Sequence, residues 1–227
     1  MKPTIWISDI HLGSSLFDIE EGLIELLKND YERIYILGDL IDSWEMPIDE
    51  ILYKYNKVIN FIRSKKRIEI ILGNHDPKYE VMREIFPKNK IYKEEHSIKI
   101  NGYNVVMIHG DKFDSLLTPY LFVMNHILKY VYDITDKKFK KNFKDNLRNL
   151  YYKAKYQNYT YNIISNMERY TINHYRDKLK YDVLIMGHTH LPKIVCTPFF
   201  KYMNCGCLIY NPCFLQYEDG KFELVKI

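Results

Sequence analysis

The sequence lacks an apolar run long enough to cross a membrane, and it also lacks the cysteine spacings of a disulfide framework or a zinc site. The first apolar run, in "MKPTIWISDIHLG", is broken by Asp9 after a few residues, so it is too short for a signal peptide core. We therefore expect a soluble, cytoplasmic protein. Since CxxC spacing is missing, the four cysteines are interpreted as buried free thiols: Cys196, Cys205, Cys207 and Cys213.

The length and the charge distribution indicate one domain that carries an insertion. A chain of 227 residues, 47% of them hydrophobic, can bury one sizeable core, so we expect a single domain over residues 1–227. Residues 112–180 contain 14 Lys and Arg but only 6 Asp and Glu, together with ten of the 21 tyrosines. Because this segment interrupts a strand-rich pattern, we predict a helical lid insertion over residues 115–180.

Outside that segment, short β-branched runs alternate with helical periodicity, which predicts an α/β fold with a largely parallel sheet. Asn101-Gly102 and Asp219-Gly220 provide the positive φ angles of tight hairpins, so antiparallel strands should flank the parallel ones. The strands are predicted in "TIWIS", "RIYIL", "RIEIIL", the two hairpins and "YDVLIMG", and helices at 16–28 and 48–63.

Polar residues follow the ends of five predicted strands. The carboxyl ends of strands in open α/β sheets lie along one rim, so residues distant in sequence should meet there. Carboxylates, an amide and imidazoles without thiolate are a ligand set for divalent metal. These residues are Asp9 and His11, then Asp39, then Asn74, His75 and Asp76, then His109, then His188 and His190.

The number of candidate ligands favours two metal ions over one. A tetrahedral site needs about four ligands, and Asp39 is suited to bridge two ions. Nitrogen and oxygen ligands without sulfur favour Mn, Fe, Zn or Co, and we expect Mn. His188 and His190 are expected to face the same side of an extended segment, where one pair can serve two adjacent ions.

Five sequence blocks, "SDIHLG", "GDLID", "GNHD", "IHGD" and "GHTH", resemble the calcineurin-like metallophosphoesterase superfamily and span residues 8–190. The resemblance implies a four-layer α/β/β/α sandwich with two metals at its rim. By position, one metal would be held by Asp9, His11, Asp39 and His190, and the other by Asp39, Asn74, His109 and His188.

The same resemblance implies catalytic roles for His75 and Asp76. His75 would lie over the scissile phosphate and protonate the leaving oxygen, and Asp76 would orient the His75 ring. A metal-bridging hydroxide would be the nucleophile.

Simpler interpretations exist for single residues. A lone histidine at a strand end is commonly a solvated turn residue, and Asp39 or Asp42 could cap a helix. Asp42 and Asp111 are expected to support the site at most. Three histidines match no block and are expected at the surface or in the core: His96, His126 and His174.

Within the superfamily, "WISDIHLG", "YILGDLIDSWE", "IHGDKFD" and "YMNCGC" most resemble the UDP-2,3-diacylglucosamine pyrophosphatase group. The expected function is hydrolysis of a phosphodiester or pyrophosphate bond in a small anionic phosphoester or nucleotide conjugate. The basic, tyrosine-rich insertion suits an anionic amphiphile with peripheral membrane contact, a nucleotide conjugate or single-stranded nucleic acid. An equally simple interpretation is a solvated helical pair that only completes the core. The alternatives are a nuclease or cyclic-nucleotide phosphodiesterase and, from another class, a catalytically inactive scaffold.

Overall fold

The computed structural model describes residues 2–113, 166–178, 180–209 and 212–227. The chain divides into two compact units, residues 1–111 with 171–227, and residues 112–170. The helices are α1 (Glu20–Lys28), α2 (Ile48–Lys54), α3 (Asn56–Ser64), α4 (Tyr79–Ile85) and α5 (Asn166–Arg176), and Asp111–Phe113 form a 3₁₀ turn. No helix within the described ranges is long and apolar enough to span a bilayer.

Six strands form the first sheet, in the order β11-β10-β1-β2-β3-β4. β1, β2, β3 and β4 are parallel, whereas β10 and β11 form an antiparallel hairpin that pairs with β1. Their bounds are β1 (Thr4–Ile7), β2 (Arg33–Leu37), β3 (Ile68–Ile71), β4 (Lys90–Tyr92), β10 (Cys213–Glu218) and β11 (Lys221–Lys226).

Five strands form the second sheet, in the order β5-β6-β7-β9-β8. β6, β7 and β9 are parallel, and the antiparallel strands β5 and β8 lie at the two edges. Their bounds are β5 (Glu95–Ile100), β6 (Tyr103–Ile108), β7 (Val183–Met186), β8 (Lys193–Cys196) and β9 (Lys201–Asn204).

Two apolar clusters stabilise this arrangement. One joins side chains of both sheets, including Trp6 and Leu37 from the first and Met107 and Ile185 from the second. The other lies on the opposite face of the first sheet and includes Leu27 and other helix residues. The predicted α/β fold is therefore confirmed, with two sheets and helices, and the parallel strands of each sheet bring their carboxyl ends to a rim.

Several predicted elements match the structure closely and others differ. The strand at Arg33–Leu37 and the two hairpins are confirmed, and Asn101 and Asp219 have φ angles of 45° and 47°. The single helix predicted at 48–63 is wrong, because the chain leaves helical geometry at Tyr55, where α2 ends. The prediction also missed four elements: α4, β4, β8 and β9.

Most of the predicted lid insertion at 115–180 lies outside the described residues, and so does His126. Its roles in lipid, membrane or nucleic-acid contact stay predictions. The cysteine prediction is corrected at one position, because Cys196 is exposed on β8, while the other three thiols are buried as expected.

Candidate metal centre

The candidate site lies where strands of both sheets end. Asp9 and His11 follow β1, Asp39 follows β2, and the remaining candidates come after β3, β6 and β7. The structure therefore brings together residues up to 181 positions apart in sequence. Five of the nine predicted residues are buried, and the other four are only partly buried: Asn74, His75, Asp76 and His188.

The backbone at this rim is unusual, because five of the nine residues have left-handed φ angles. Asp9, His11 and Asp39 each have φ of 53°, and His188 and His190 have φ of 63° and 60°. Left-handed geometry is uncommon for residues other than glycine and concentrates at functional sites. The prediction of an extended segment at 188–190 is therefore wrong: two left-handed residues, and not strand alternation, direct these side chains.

A first group of ligand atoms is formed by Asp9, His11 and His190, whose side-chain atoms lie within 4.8 Å of one another. The Nε2 atom of His190 lies 3.0 Å from Oδ1 of Asp9, and Nε2 of His11 lies 4.0 Å from the same oxygen. Three side chains from two different strand ends thus present nitrogen and oxygen atoms to one small volume.

A second group is formed by Asp39, His109 and His188, also within 4.8 Å of one another. The Nε2 atom of His109 lies 3.3 Å from Oδ2 of Asp39 and 3.2 Å from Oδ1 of Asn74. The Nδ1 atom of His188 is 3.3 Å from the same His109 nitrogen. The amide oxygen of Asn74 therefore faces this second group.

Asp39 lies between the two groups. Its Oδ2 atom is 3.3 Å from Nε2 of His109 in the second group and 3.6 Å from Nε2 of His11 in the first. The other oxygen, Oδ1, accepts a hydrogen bond from the backbone N–H of His75 at 2.9 Å. One carboxylate is thus fixed by the backbone on one side and shared by both groups on the other.

The hydrogen bonds of two histidines leave lone pairs for a cation. Nδ1 of His109 lies 2.8 Å from the carbonyl oxygen of Leu37, which can only accept, so Nδ1 carries a proton, and in the neutral imidazole Nε2 is the nitrogen with the lone pair. Nδ1 of His11 contacts the Asp42 carboxylate at 3.0 Å, which assigns its proton in the same way. Among the described residues, the buried Nε2 atom of His11 has no hydrogen-bond partner. Nitrogen atoms presented in this way fit divalent metal ions.

The electrostatics of the site also favour a bound cation. Burial raises the pKa of the Asp39 carboxyl, but the imidazoles of His109, His11 and His75 together lower it more, and the pKa lies well below its usual value. Conversely, burial lowers the pKa of His109, while the Asp39 carboxylate raises it to about 10. Both directions show that this buried cluster stabilises positive charge beside Asp39.

Asp42, which we expected to support the site at most, contacts two of its histidines directly. Its carboxylate is buried, with Oδ2 at 3.0 Å from Nδ1 of His11 and Oδ1 at 3.0 Å from Nδ1 of His75. One side chain therefore orients a candidate metal ligand and the candidate acid together. No local sequence pattern predicts this contact, because the two histidines lie 31 and 33 residues away from Asp42 in the chain.

The predicted contact between Asp76 and the ring of His75 is corrected by the structure. Asp76 instead accepts three backbone hydrogen bonds, from the N–H groups of Asp39 (2.9 Å), Ile41 (2.8 Å) and Gly73 (2.9 Å). Burial and the charge of Asp39 raise the pKa of its carboxyl to about 7. Asp76 thus holds the loops after β2 and β3 together, while the ring of His75 is oriented by Asp42.

Substitution of Asp76 by Asn is expected to lower the free energy of unfolding by about 1–3 kcal/mol. The amide would turn an N–H group toward at least one of the three backbone donors and leave it unpaired. Urea unfolding, followed by circular dichroism, measures the change, with the exposed Asp18→Asn as the control. Equal stability of the two variants would show that the three backbone contacts contribute little.

Two glycines and one asparagine allow the loops to approach this closely. A Cβ atom on Gly187 would lie 2.6 Å from Oδ2 of Asp9, and one on Gly38 would collide with the ring of His109. Asn204, which sequence reasoning missed, donates to the carbonyl oxygen of Gly187 at 2.7 Å and to Oγ1 of Thr189 at 3.0 Å. It therefore positions the segment that carries the last two histidines.

The comparison with protein families agrees with this geometry. The family model described as calcineurin-like phosphoesterase matches residues 2–192, which include every candidate ligand. The chain belongs to the calcineurin-like phosphoesterase family. This membership confirms both the resemblance seen in the sequence and the prediction of a metal-dependent phosphoric ester hydrolase.

This calcineurin-like phosphoesterase is similar to individual relatives over most of its length. The UDP-2,3-diacylglucosamine hydrolase of Shewanella frigidimarina is 27% identical over 205 residues, which cover 86% of this chain and 83% of the relative. The enzyme of the same name from Wigglesworthia glossinidia brevipalpis is 25% identical over 223 residues, covering 88% and 84%. Among solved structures, Vps29 of Chaetomium thermophilum aligns with a TM-score of 0.54 at 12% identity, covering 100% of this chain and 97% of that one, and it supports the fold alone.

Proposed function

We propose that this calcineurin-like phosphoesterase is a dinuclear enzyme that hydrolyses a phosphodiester or pyrophosphate bond in a nucleotide-containing substrate. The observation that carries the proposal is the position of Asp39, whose Oδ2 atom faces a nitrogen of each ligand group. A carboxylate shared in this way is the arrangement expected of a ligand that bridges two ions.

One ion would be held by Asp9, His11, Asp39 and His190, and the other by Asp39, Asn74, His109 and His188. Two cations bound there would supply charge neutralisation at the phosphate and acidify bound water. Nitrogen and oxygen donors without a thiolate favour Mn, Fe, Zn or Co, and we propose Mn.

His75 is proposed to donate the proton to the leaving oxygen. Its Nδ1 atom is held by Asp42, which leaves Nε2 for a substrate, and its side chain is 22% exposed while its neighbours His11 and Asp39 are buried. His75 also lies within 4.8 Å of ligand atoms of His11 and Asp39, so metal coordination is the competing role. Asp42 is proposed to fix the ring in the orientation that its function needs.

The substrate class is supported by the relatives and by the chemistry of the donor set. The curated relatives above carry the name UDP-2,3-diacylglucosamine hydrolase, which describes a nucleotide conjugate. A site with two cations and a proton donor suits a charged phosphodiester or pyrophosphate. We therefore propose a nucleoside diphosphate conjugate as the substrate class.

An assay of the purified protein loaded with Mn²⁺ tests the proposal. The substrates are bis(p-nitrophenyl) phosphate, p-nitrophenyl phosphate, nucleoside diphosphate sugars and single-stranded DNA, and metal analysis gives the number of ions per chain. We expect two ions per chain and hydrolysis of the diester and the diphosphate conjugate. Activity on the monoester alone would contradict the proposal, and activity on DNA alone would establish a nuclease.

Asp42→Asn is expected to weaken metal binding by about 10–100-fold, the usual effect of removing a carboxylate that orients a metal-binding histidine. The amide would present an N–H group to one of two rings whose Nδ1 atoms already donate, so kcat should also fall. Chelator competition gives the metal affinity and the diester assay gives kcat. Unchanged values for both would show that neither ring depends on Asp42.

A further inference from the structure

Trp44 places an indole ring directly against the candidate proton donor. The ring centroids of Trp44 and His75 lie 4.1 Å apart, and the two planes differ by 28°, which is a stacked arrangement. Trp44 is nevertheless 56% exposed. Since one face of the indole covers His75, much of the exposed area belongs to the other face.

The neighbouring backbone fixes this stack. Ser43 donates two hydrogen bonds to the carbonyl oxygen of His75, one from its backbone N–H at 3.2 Å and one from Oγ at 2.8 Å. The loops that carry Trp44 and His75 are therefore joined directly beside the two rings. An aromatic side chain held in this way, with one face open, is suited to bind a second planar ring.

The distance between His75 and the open face of Trp44 indicates which kind of ring would stack there. A ring stacked on the open face would lie about 4 Å beyond the indole, and hence about twice the 4.1 Å ring separation from His75. In the proposed function, His75 acts beside the scissile phosphate. A ribose unit separates a phosphate from its base by a comparable span, whereas a phosphate ester of a directly attached ring would not reach the indole.

We propose that Trp44 is the stacking platform for the nucleobase of the substrate and so determines the preference for nucleotides. This inference rests on the proposed function for the position of the phosphate. Stacking of a base on an aromatic side chain does not depend on the base identity, because every base has a π-face. The platform therefore selects nucleotides over other phosphate esters without selecting a particular base.

Binding of two product-like ligands tests the platform. Uridine 5′-monophosphate and ribose 5-phosphate share the sugar and the phosphate and differ in the base. Calorimetric titration of the Mn²⁺-loaded protein compares the wild type with Trp44→Ala, Trp44→Phe and Tyr53→Ala, the last as a matched control because Tyr53 is 85% exposed on α2. We expect Trp44→Ala to weaken uridine 5′-monophosphate about tenfold and to leave ribose 5-phosphate unchanged.

The conservative variant separates stacking from folding. Trp44→Phe keeps an aromatic face and should retain most of the affinity for the nucleotide, and Tyr53→Ala should match the wild type. Fluorescence gives a second measurement, because the chain has only two tryptophans and Trp6 is fully buried. The nucleotide should quench the emission of the wild type, and Trp44→Phe should abolish this response.

Two results would overturn the inference. If Trp44→Ala weakens both ligands equally, Trp44 only positions His75 or its loop, and if it changes neither, or if the nucleotide does not bind the wild type, the platform does not exist. Failure of the proposed function looks different. A wild-type protein that hydrolyses no phosphodiester, yet binds the nucleotide in a way that depends on Trp44, would refute the hydrolase proposal and leave the platform in place.

Discussion

Asp39→Asn is expected to abolish hydrolysis of bis(p-nitrophenyl) phosphate and to remove metal from both ligand groups. The wild-type Oδ2 atom faces His11 on one side and His109 on the other, so a neutral amide would weaken both positions at once. The loss of metal affinity should exceed the about 10–100-fold typical of residues that only orient ligands. Metal content per chain, measured after dialysis, and kcat/KM report the two effects.

The exposed Asp49→Asn on α2 serves as the control for a lost carboxylate. Circular dichroism should show that the Asp39 variant remains folded, because an asparagine oxygen can still accept from the backbone N–H of His75. Retention of two ions per chain would rule out Asp39 as the shared ligand. Retention of one ion with loss of the other would assign Asp39 to a single metal position.

His75→Ala is expected to keep both metal ions and to lower kcat by about 10²–10⁴-fold, the range for removal of a general acid. The loss should be largest for phosphodiesters with an alkoxide leaving group, such as those of single-stranded DNA. It should be smaller for p-nitrophenyl esters and nucleoside diphosphate sugars, whose leaving groups need little help from a proton. A loss of kcat that differs between these substrates would therefore reflect lost proton donation, because misfolding would lower kcat equally for all of them.

Metal content distinguishes this role from the competing one. If His75 coordinates an ion with His11 and Asp39, its removal will reduce the number of bound ions as well as the rate. His96→Ala is the control, because His96 stacks on Tyr92 at 3.9 Å and lies outside the ligand groups of the described residues. A His75→Ala protein with full activity would exclude both roles.

The fold was predictable where local pattern and tertiary packing agree. Strands such as Arg33–Leu37 are short β-branched or aromatic runs, and Asn101-Gly102 can adopt the positive φ angles that a tight hairpin needs. The single helix predicted at 48–63 is interrupted at Tyr55. The apolar periodicity continues across this break, so the sequence pattern did not indicate it. Strands β8 and β9 lack a comparably long apolar run, and their pairing is set by the sheet.

The candidate ligands were predictable because each follows a buried strand, and polar groups there need a reason to be buried. Their supporting residues were not. Asp42 and Asp76 stand in the same blocks, yet their partners depend on how two loops pack, and the family resemblance implied the wrong partner for Asp76. Asn204 and Trp44 carry no periodic signal, and only their contacts with Gly187 and His75 distinguish them from ordinary residues.

The left-handed backbone at Asp9, His11, Asp39, His188 and His190 limits which residue types these positions can accept. Asp, Asn and His tolerate this conformation better than other residues that have a Cβ atom, and they are also hard or borderline donors for metals. Glutamate or cysteine would offer a ligand atom but would strain the chain. The main-chain conformation thus restricts which side chains can coordinate a metal at these positions. Because it disfavours cysteine, it also disfavours a site for metals that prefer thiolate ligands, such as Cu(I).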